Sequence, residues 1–268
     1  MQTIPMPLKM VINIAKEYIE YSCSVLKKTF PLLFDHRIDL SKKINKKYKT
    51  VCIGRVVNVV RIVFLGQTGR GKSTTINSII GGNVFQTDDI ESCTNKVQSV
   101  LIRLNNSSFL SLCDLPGIGE TEIKQREYEQ WYRYMCYNSN VIVYVLNADQ
   151  RDYRIDLDCF NRVIPNKAKQ NVIIAVNKME KLFPRDYDKN KIIGTVIVPK
   201  YIRQLSHVPS VNLYNKYRIN LDEKITDIYK QFGIPPKRII EYSALENIFT
   251  SYLNDLISKT LLSQCSSL

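Results

Sequence analysis

The sequence predicts an α/β fold: a mostly parallel sheet of six strands with helices on both faces, preceded by an N-terminal helical extension. Three observations predict it. The runs VVNVVRIVFL at 56–65, NVIVYVLNA at 140–148 and NVIIAVNK at 171–178 are almost continuously apolar, as strands buried on both faces are. Segments with helical spacing alternate with them. The glycine-bearing stretch GQTGRGKST at 66–74 sits between the first of these strands and a helix.

The elements follow in order. Residues 7–29 read as a helix, with Val11, Ile14, Ala15, Tyr18, Val25 and Leu26 at mostly three- and four-residue steps. Pro31 ends it. SKKINKKYKT at 41–50 holds five lysines and reads as a solvated linker or a basic contact strip. A soft boundary near residue 50 separates the extension, 1–50, from the main domain, 51–268. KSTTINSII is helical, with Ile76, Ile79 and Ile80 on one face, and the glycines of GGN at 81–83 stop it. KVQSVLIRL and SFLSLCDL read as paired strands joined by NNSS.

Residues 120–138 lack glycine and proline and read as a helix, and RIDLDCFNRVI is a second that ends at Pro165. The stretch 181–215 has no clean period and reads as an insertion or long loop. NLDEKITDIYKQFG is a helix capped by Gly233, and PKRIIEYSA is the last strand. The final helix, 245–262, carries Ile248, Phe249, Tyr252, Leu253, Leu256 and Ile257 on one face.

Composition bounds the function. The chain has 268 residues, 44% of them hydrophobic, and a net charge of +13. That charge points to an anionic partner, whether RNA, the ribosome or a membrane surface, or to a domain that is simply basic. Seven cysteines without a CxxC pair, with only His36 and His207 beside them, argue against zinc and against a disulfide framework. Reduced thiols are expected, with Cys113 and Cys136 as small buried apolar residues. No apolar run reaches the roughly 18 residues of a spanning helix. The N-terminus lacks a secretory pattern. The expected location is the cytoplasm, with peripheral docking at a membrane as an addition.

Gly66, Gly71, Lys72 and Ser73 match G-x-x-x-x-G-K-[ST] between a strand and a helix. Backbone N–H groups around Gly69, Arg70, Gly71, Lys72, Ser73 and Thr74 make a nest for phosphate at a helix N-terminus. The Lys72 ammonium suits the β- and γ-phosphates, and the Ser73 hydroxyl suits Mg²⁺. In DLPG, Asp114 is placed to hold Mg²⁺ through water and Gly117 to offer its N–H to the γ-phosphate. Thr94, in DDIESCTNKV, is expected to close over the γ-phosphate and Mg²⁺, or else simply starts a strand; Thr87 is the competing threonine. In NKME, Asn177 suits the purine N7 edge, the Lys178 stem suits the base plane, and the Glu180 carboxylate accepts from guanine N1–H and N2–H₂. Adenine lacks that donor pair, so such a site selects guanine. Ser243 and Ala244 follow the last strand; the Ala244 N–H is expected to meet the guanine O6, though Ser-Ala is also a plain cap.

These motifs, in this order, resemble the translation-factor class of GTPases. DLPGIGE, YVLNADQRDYRIDLDCF and QFGIPPKRIIEYSA look like its Era-related branch, in particular the bacterial YeeP/YfjP-type GTPases. The resemblance covers about 58–262 and is weakest over 185–215. It implies GTP and GDP as ligands, Mg²⁺ as cofactor, Lys72, Thr94 and Gly117 as the catalytic set, and Ser73, Thr94 and Asp114 as the metal set. It also implies switch segments over 84–96 and 117–130, and admits a nucleotide-dependent homodimer.

Two residues depart from the pattern. Glu180 stands where the family has aspartate, and its extra methylene tilts or weakens the guanine contact. Ile118 stands where Ras-like enzymes carry a glutamine that orients water, so hydrolysis is expected to be slow without a partner or dimer. Arg70 is expected to point outward. Gly69 replaces the asparagine of potassium-stimulated relatives, so potassium activation is not expected. The competing functions are a slow GTP switch, a guanine-nucleotide-binding module with negligible hydrolysis, and a regulatory GTPase that contacts RNA, ribosome or membrane through its basic N-terminal region.

Overall fold

The computed structural model describes residues 48–52, 55–85, 98–103, 108–118, 122–182 and 215–264. The N-terminal helical extension expected before residue 48 and the insertion expected at 183–214 lie outside the described residues. So do Thr94, Thr87, most of the switch segment at 84–96 and residues 119–121 of the one at 117–130.

Seven strands and five α-helices are described. They run β1 (Tyr48–Cys52), β2 (Arg55–Leu65), α1 (Lys72–Ile80), β3 (Gln98–Arg103), β4 (Ser108–Asp114), α2 (Glu122–Tyr137), β5 (Val141–Asn147), α3 (Arg154–Val163), β6 (Val172–Asn177), α4 (Asn215–Phe232), β7 (Ile239–Glu241) and α5 (Thr250–Ser263). The six strands β2–β7 form the expected sheet in the order β3-β4-β2-β5-β6-β7. All neighbours in it are parallel except β3 and β4. β1 adds a seventh strand, antiparallel to the first half of β2, with Tyr48 opposite Val59 and Cys52 opposite Arg55. It runs across residue 50 and ties the end of the lysine-rich strip into the sheet.

Strand side chains alternate between the two faces, and each face has its own core. Val63, Leu65, Ile142, Tyr144, Leu146, Ile174 and Val176 pack with Tyr132 and Met135 of α2, Phe160 and Val163 of α3, and Ile225 and Phe232 of α4. Ile62, Phe64, Val141, Val143, Val145, Ile173 and Ala175 pack with Ile76, Ile79 and Ile80 of α1 and Leu253, Ile257 and Leu261 of α5. The expected doubly covered sheet is thus formed, with three helices on one face and two on the other. Each fully buried Ile, Leu or Phe contributes roughly 1.5–3 kcal/mol of transfer free energy.

β2 lies between β4 and β5, and the helices that follow the neighbouring strands β2 and β4, α1 and α2, lie on opposite faces of the sheet. The crevice outside the carboxyl ends of such strands is where parallel α/β sheets bind ligands. The ends of β2, β4 and β6 deliver GQTGRGKST, DLPG and NKME to that edge. Gly81 stops α1 in the left-handed conformation and donates its N–H to the Asn77 carbonyl, as the GGN stretch predicts. PKRIIEYSA is less regular than expected: Pro236–Arg238 form a 3₁₀ turn and only Ile239–Glu241 are strand.

Candidate functional site

α1 begins at Lys72 behind Gly71, whose φ of 84° is left-handed. A side chain there meets a second obstacle, because a Cβ would lie 2.5 Å from Asn177 Nδ2. Glycine is the residue that satisfies both conditions. The loop folds back on its own lysine. Lys72 is buried, and its Nζ donates to the Gly66 and Gln67 carbonyls at 3.1 and 3.0 Å.

Ser73 and Asp114, 41 positions apart, meet at the ends of α1 and β4, where Ser73 Oγ donates to Asp114 Oδ2 at 2.5 Å. Asp114 is fully buried, and its Oδ1 has no hydrogen-bond partner among the described residues. Burial pushes its carboxyl up from the ordinary range, while the Lys72 ammonium and the Ser73 hydroxyl pull it back. Gly117 lies against Thr68 of the loop, and a Cβ there would be 2.6 Å from Thr68 Cα. Ile118 bridges to Gln67 and donates its N–H to the Gly66 carbonyl at 3.3 Å. Its side chain, 2% exposed, belongs to the core and does not face the loop's surface.

Asn177 joins three motifs. Its Nδ2 donates to the Arg70 carbonyl at 3.0 Å, and its Oδ1 accepts the Ala244 N–H at 3.0 Å. The Ala244 N–H, which the sequence assigns to a base oxygen, is therefore given to Asn177 in this structure. Lys178, at φ 61°, reaches Gly69 O with Nζ at 2.7 Å. Its stem spans the gap between the two loops. Glu180 Oε2 is buried, with no hydrogen-bond partner among the described residues. Ser243 Oγ accepts the Glu246 N–H at 3.1 Å, so this serine caps a turn rather than the start of α5. Thr74 lies half-buried on the first turn of α1.

Arg70 departs from expectation. Its side chain is only 17% exposed and does not project outward. Nη2 donates to Gln67 Oε1 at 2.7 Å and lies 3.8 Å from Asp156 Oδ2. The reason is the fully buried Asp156 carboxylate on α3, which draws a cation toward it. Asp156 Oδ2 also accepts from Gln67 Nε2 at 3.1 Å and Gln150 Nε2 at 2.6 Å. Burial pushes this carboxyl up; Gln150, Arg70 and Tyr144 pull it back. Sequence reading missed Asp156, Gln67 and Gln150. One signal was available. Asp156 shares the step of 156, 159, 160 and 163 with Cys159, Phe160 and Val163, all buried, whereas Ile155 is 63% exposed. An acid on the buried stripe of a helix marks a polar partner inside.

The family described as 50S ribosome-binding GTPase matches residues 61–178. The uncharacterized protein YfjP of Escherichia coli K12 is 27% identical over 123 residues, 46% of this chain and 42% of that protein. The tRNA modification GTPase MnmE of Clostridioides difficile is 24% identical over 222 residues, 82% of this chain and 45% of that protein. The chain spans less than half the length of these curated relatives. A crystal structure of Aquifex aeolicus Era bound to GDP·AlF4⁻ superposes with a TM-score of 0.54 at 18% identity, over 75% of this chain and 56% of that one, and so shares the fold. The phosphate-loop, DLPG and NKME motifs converge at one edge of this sheet, inside and beside the matched segment. Residues 61–178 thus resemble that GTPase family, and the sheet has the fold of Era.

Proposed function

We propose that this chain binds guanine nucleotide with Mg²⁺ and hydrolyses GTP to GDP and phosphate as a slow switch. One observation carries the reading. Two buried carboxylate oxygens with no partner among the described residues, Asp114 Oδ1 and Glu180 Oε2, belong to the two motifs assigned to metal and base. Asn177 ties the loop beside one to the loop beside the other. Buried polar atoms are rarely left without partners, and each is matched here by a group of the nucleotide complex.

The residues present fit Mg²⁺. A hydroxyl and a carboxylate with spare acceptor capacity are hard oxygen donors. Ser73 would hold the ion directly and Asp114 through water, and the ion would neutralise phosphate charge. The loop amides and Lys72 orient the γ-phosphate and stabilise charge that develops as water attacks phosphorus and the bond to the β–γ bridging oxygen breaks. Glu180 accepts from the guanine N1–H and N2–H₂. Thr94 completes the set by closing over the γ-phosphate and Mg²⁺.

Ile118 sets the rate. A core-packed isoleucine cannot orient water, which favours slow turnover without a partner or a nucleotide-dependent homodimer. Single-turnover hydrolysis at saturating GTP and Mg²⁺ is expected to be faster than that of Lys72→Ala. Equal rates would leave a guanine-nucleotide-binding module without hydrolysis.

The +13 charge and the lysine-rich strip support an anionic partner, RNA, ribosome or membrane surface, met in the cytoplasm or at a membrane periphery. Among the described residues no helix is long and apolar enough to cross a membrane. Because β1 belongs to the sheet, a deletion that tests the strip should stop at residue 47. Salt-sensitive RNA or liposome binding lost on that deletion supports this partner; no binding at low salt contradicts it.

A further inference from the structure

We propose that Asp156 is a positioning residue for the phosphate loop, acting through Gln67 and Arg70 from outside the nucleotide-binding motifs. The inference rests on the reading of the loop as a nucleotide site.

The geometry is direct. Gln67 has three tasks. Its carbonyl receives Lys72 Nζ at 3.0 Å, its backbone bridges to Ile118, and its side chain joins Arg70 and Asp156. Arg70 has two. Its carbonyl receives Asn177 Nδ2, and its guanidinium lies between Gln67 Oε1 and Asp156 Oδ2. One buried oxygen, Asp156 Oδ2, therefore orients two loop residues whose backbones hold the lysine and the base-binding asparagine.

Asp156 is itself held firmly. Tyr144 OH donates to its carbonyl at 2.9 Å, and Gln150 Nε2 to Oδ2 at 2.6 Å. Gln150 is in turn fixed at its carbonyl by Lys224 Nζ of α4 at 2.5 Å. A buried carboxylate that served only helix α3 would need none of the loop contacts; here its acceptor oxygen faces the loop across 89 positions of sequence. A loop left to sample other conformations binds its ligand more weakly in proportion to the time it is misplaced.

The test is a double-mutant cycle on the full chain, read as affinity and dissociation rate of N-methylanthraniloyl-GDP. Asp156→Asn keeps the shape and one acceptor oxygen but removes the charge that holds Arg70. It is expected to weaken binding about tenfold through faster dissociation, the scale of one buried polar partner lost. In an Arg70→Leu background the same substitution is expected to change affinity less than about twofold, because its charged partner is gone. Thermal denaturation of each variant excludes unfolding at the assay temperature. Should Asp156→Asn unfold, Asp156→Glu, which retains the charge, and Gln67→Ala carry the test; Gln67→Ala is then expected to weaken binding and Asp156→Glu to preserve most of it. Folded Asp156→Asn with wild-type affinity, or equal losses in both backgrounds, overturns the assignment. Failure of the wild type to bind the probe overturns instead the nucleotide reading on which it rests.

Discussion

Gly117 lies against Thr68, so close that a Cβ on the glycine would fall 2.6 Å from the threonine Cα. The DLPG turn and the phosphate loop therefore touch at both ends of the turn, through Gly117 and Thr68 and through Asp114 and Ser73. Gly117→Ala is expected to push the two apart, with a stability loss of about 1–3 kcal/mol, the range for overpacking, and loss of GTP turnover. Pairing it with Thr68→Gly removes the side-chain clash but not the contact with Cα, so partial recovery is expected. Urea denaturation midpoints and single-turnover rates check both.

Asn177 is bonded at both ends of its amide, which makes its two nearest substitutions informative. Asn177→Ala removes both bonds and leaves the buried Ala244 N–H without its acceptor, a cost of about 1–3 kcal/mol. Asn177→Asp keeps an acceptor for Ala244 but turns a carboxylate oxygen toward the Arg70 carbonyl. Both variants are expected to bind GDP at least about tenfold more weakly, with Asp worse than Ala if the loop contact dominates. Equilibrium titration with a fluorescent GDP analogue ranks them.

Asp114 makes stability and function oppose each other. Burial raises its carboxyl above the ordinary value, so without nucleotide and Mg²⁺ the folded state binds its proton more tightly than the unfolded state does. The ionised carboxylate therefore destabilises the fold. This penalty is absent below the unfolded value and grows as pH rises toward the raised folded value. Asp114→Asn is expected to melt higher than wild type at pH 8 in EDTA, with the gap closing as pH falls through the carboxylate range. The same variant is expected to lose the Mg²⁺ dependence of nucleotide affinity. Thermal scans across pH and titrations with and without Mg²⁺ check the two halves.

Most of the sheet was legible because parallel strands buried on both faces leave continuous apolar runs, and the alternation of Ile62 and Phe64 against Val63 and Leu65 divides cleanly between the two cores. The motif residues were legible for a local reason: phosphate cradling needs glycine, lysine and a hydroxyl at fixed spacing. β1 was hidden because Tyr48, Thr50 and Val51, good strand formers, are embedded among lysines. Arg70 was misread because its partner, Asp156, is distant in sequence, and no local rule places a guanidinium against a carboxylate on another element. Glu180 was singled out by the chemistry of its carboxylate, while the burial of its unpaired oxygen was not legible.

The central claim is that this edge of the sheet is a guanine-nucleotide site. Its most direct test is the affinity of the full chain for GTP, GDP and ATP, each with and without Mg²⁺, in wild type and Glu180→Ala. The account predicts that GTP and GDP bind at least about a hundredfold more tightly than ATP, the scale on which a site built to pair donors rejects a base lacking them. It predicts that Mg²⁺ strengthens GTP binding and that Glu180→Ala erases most of the preference. ATP binding as tightly as GTP in the wild type would contradict it.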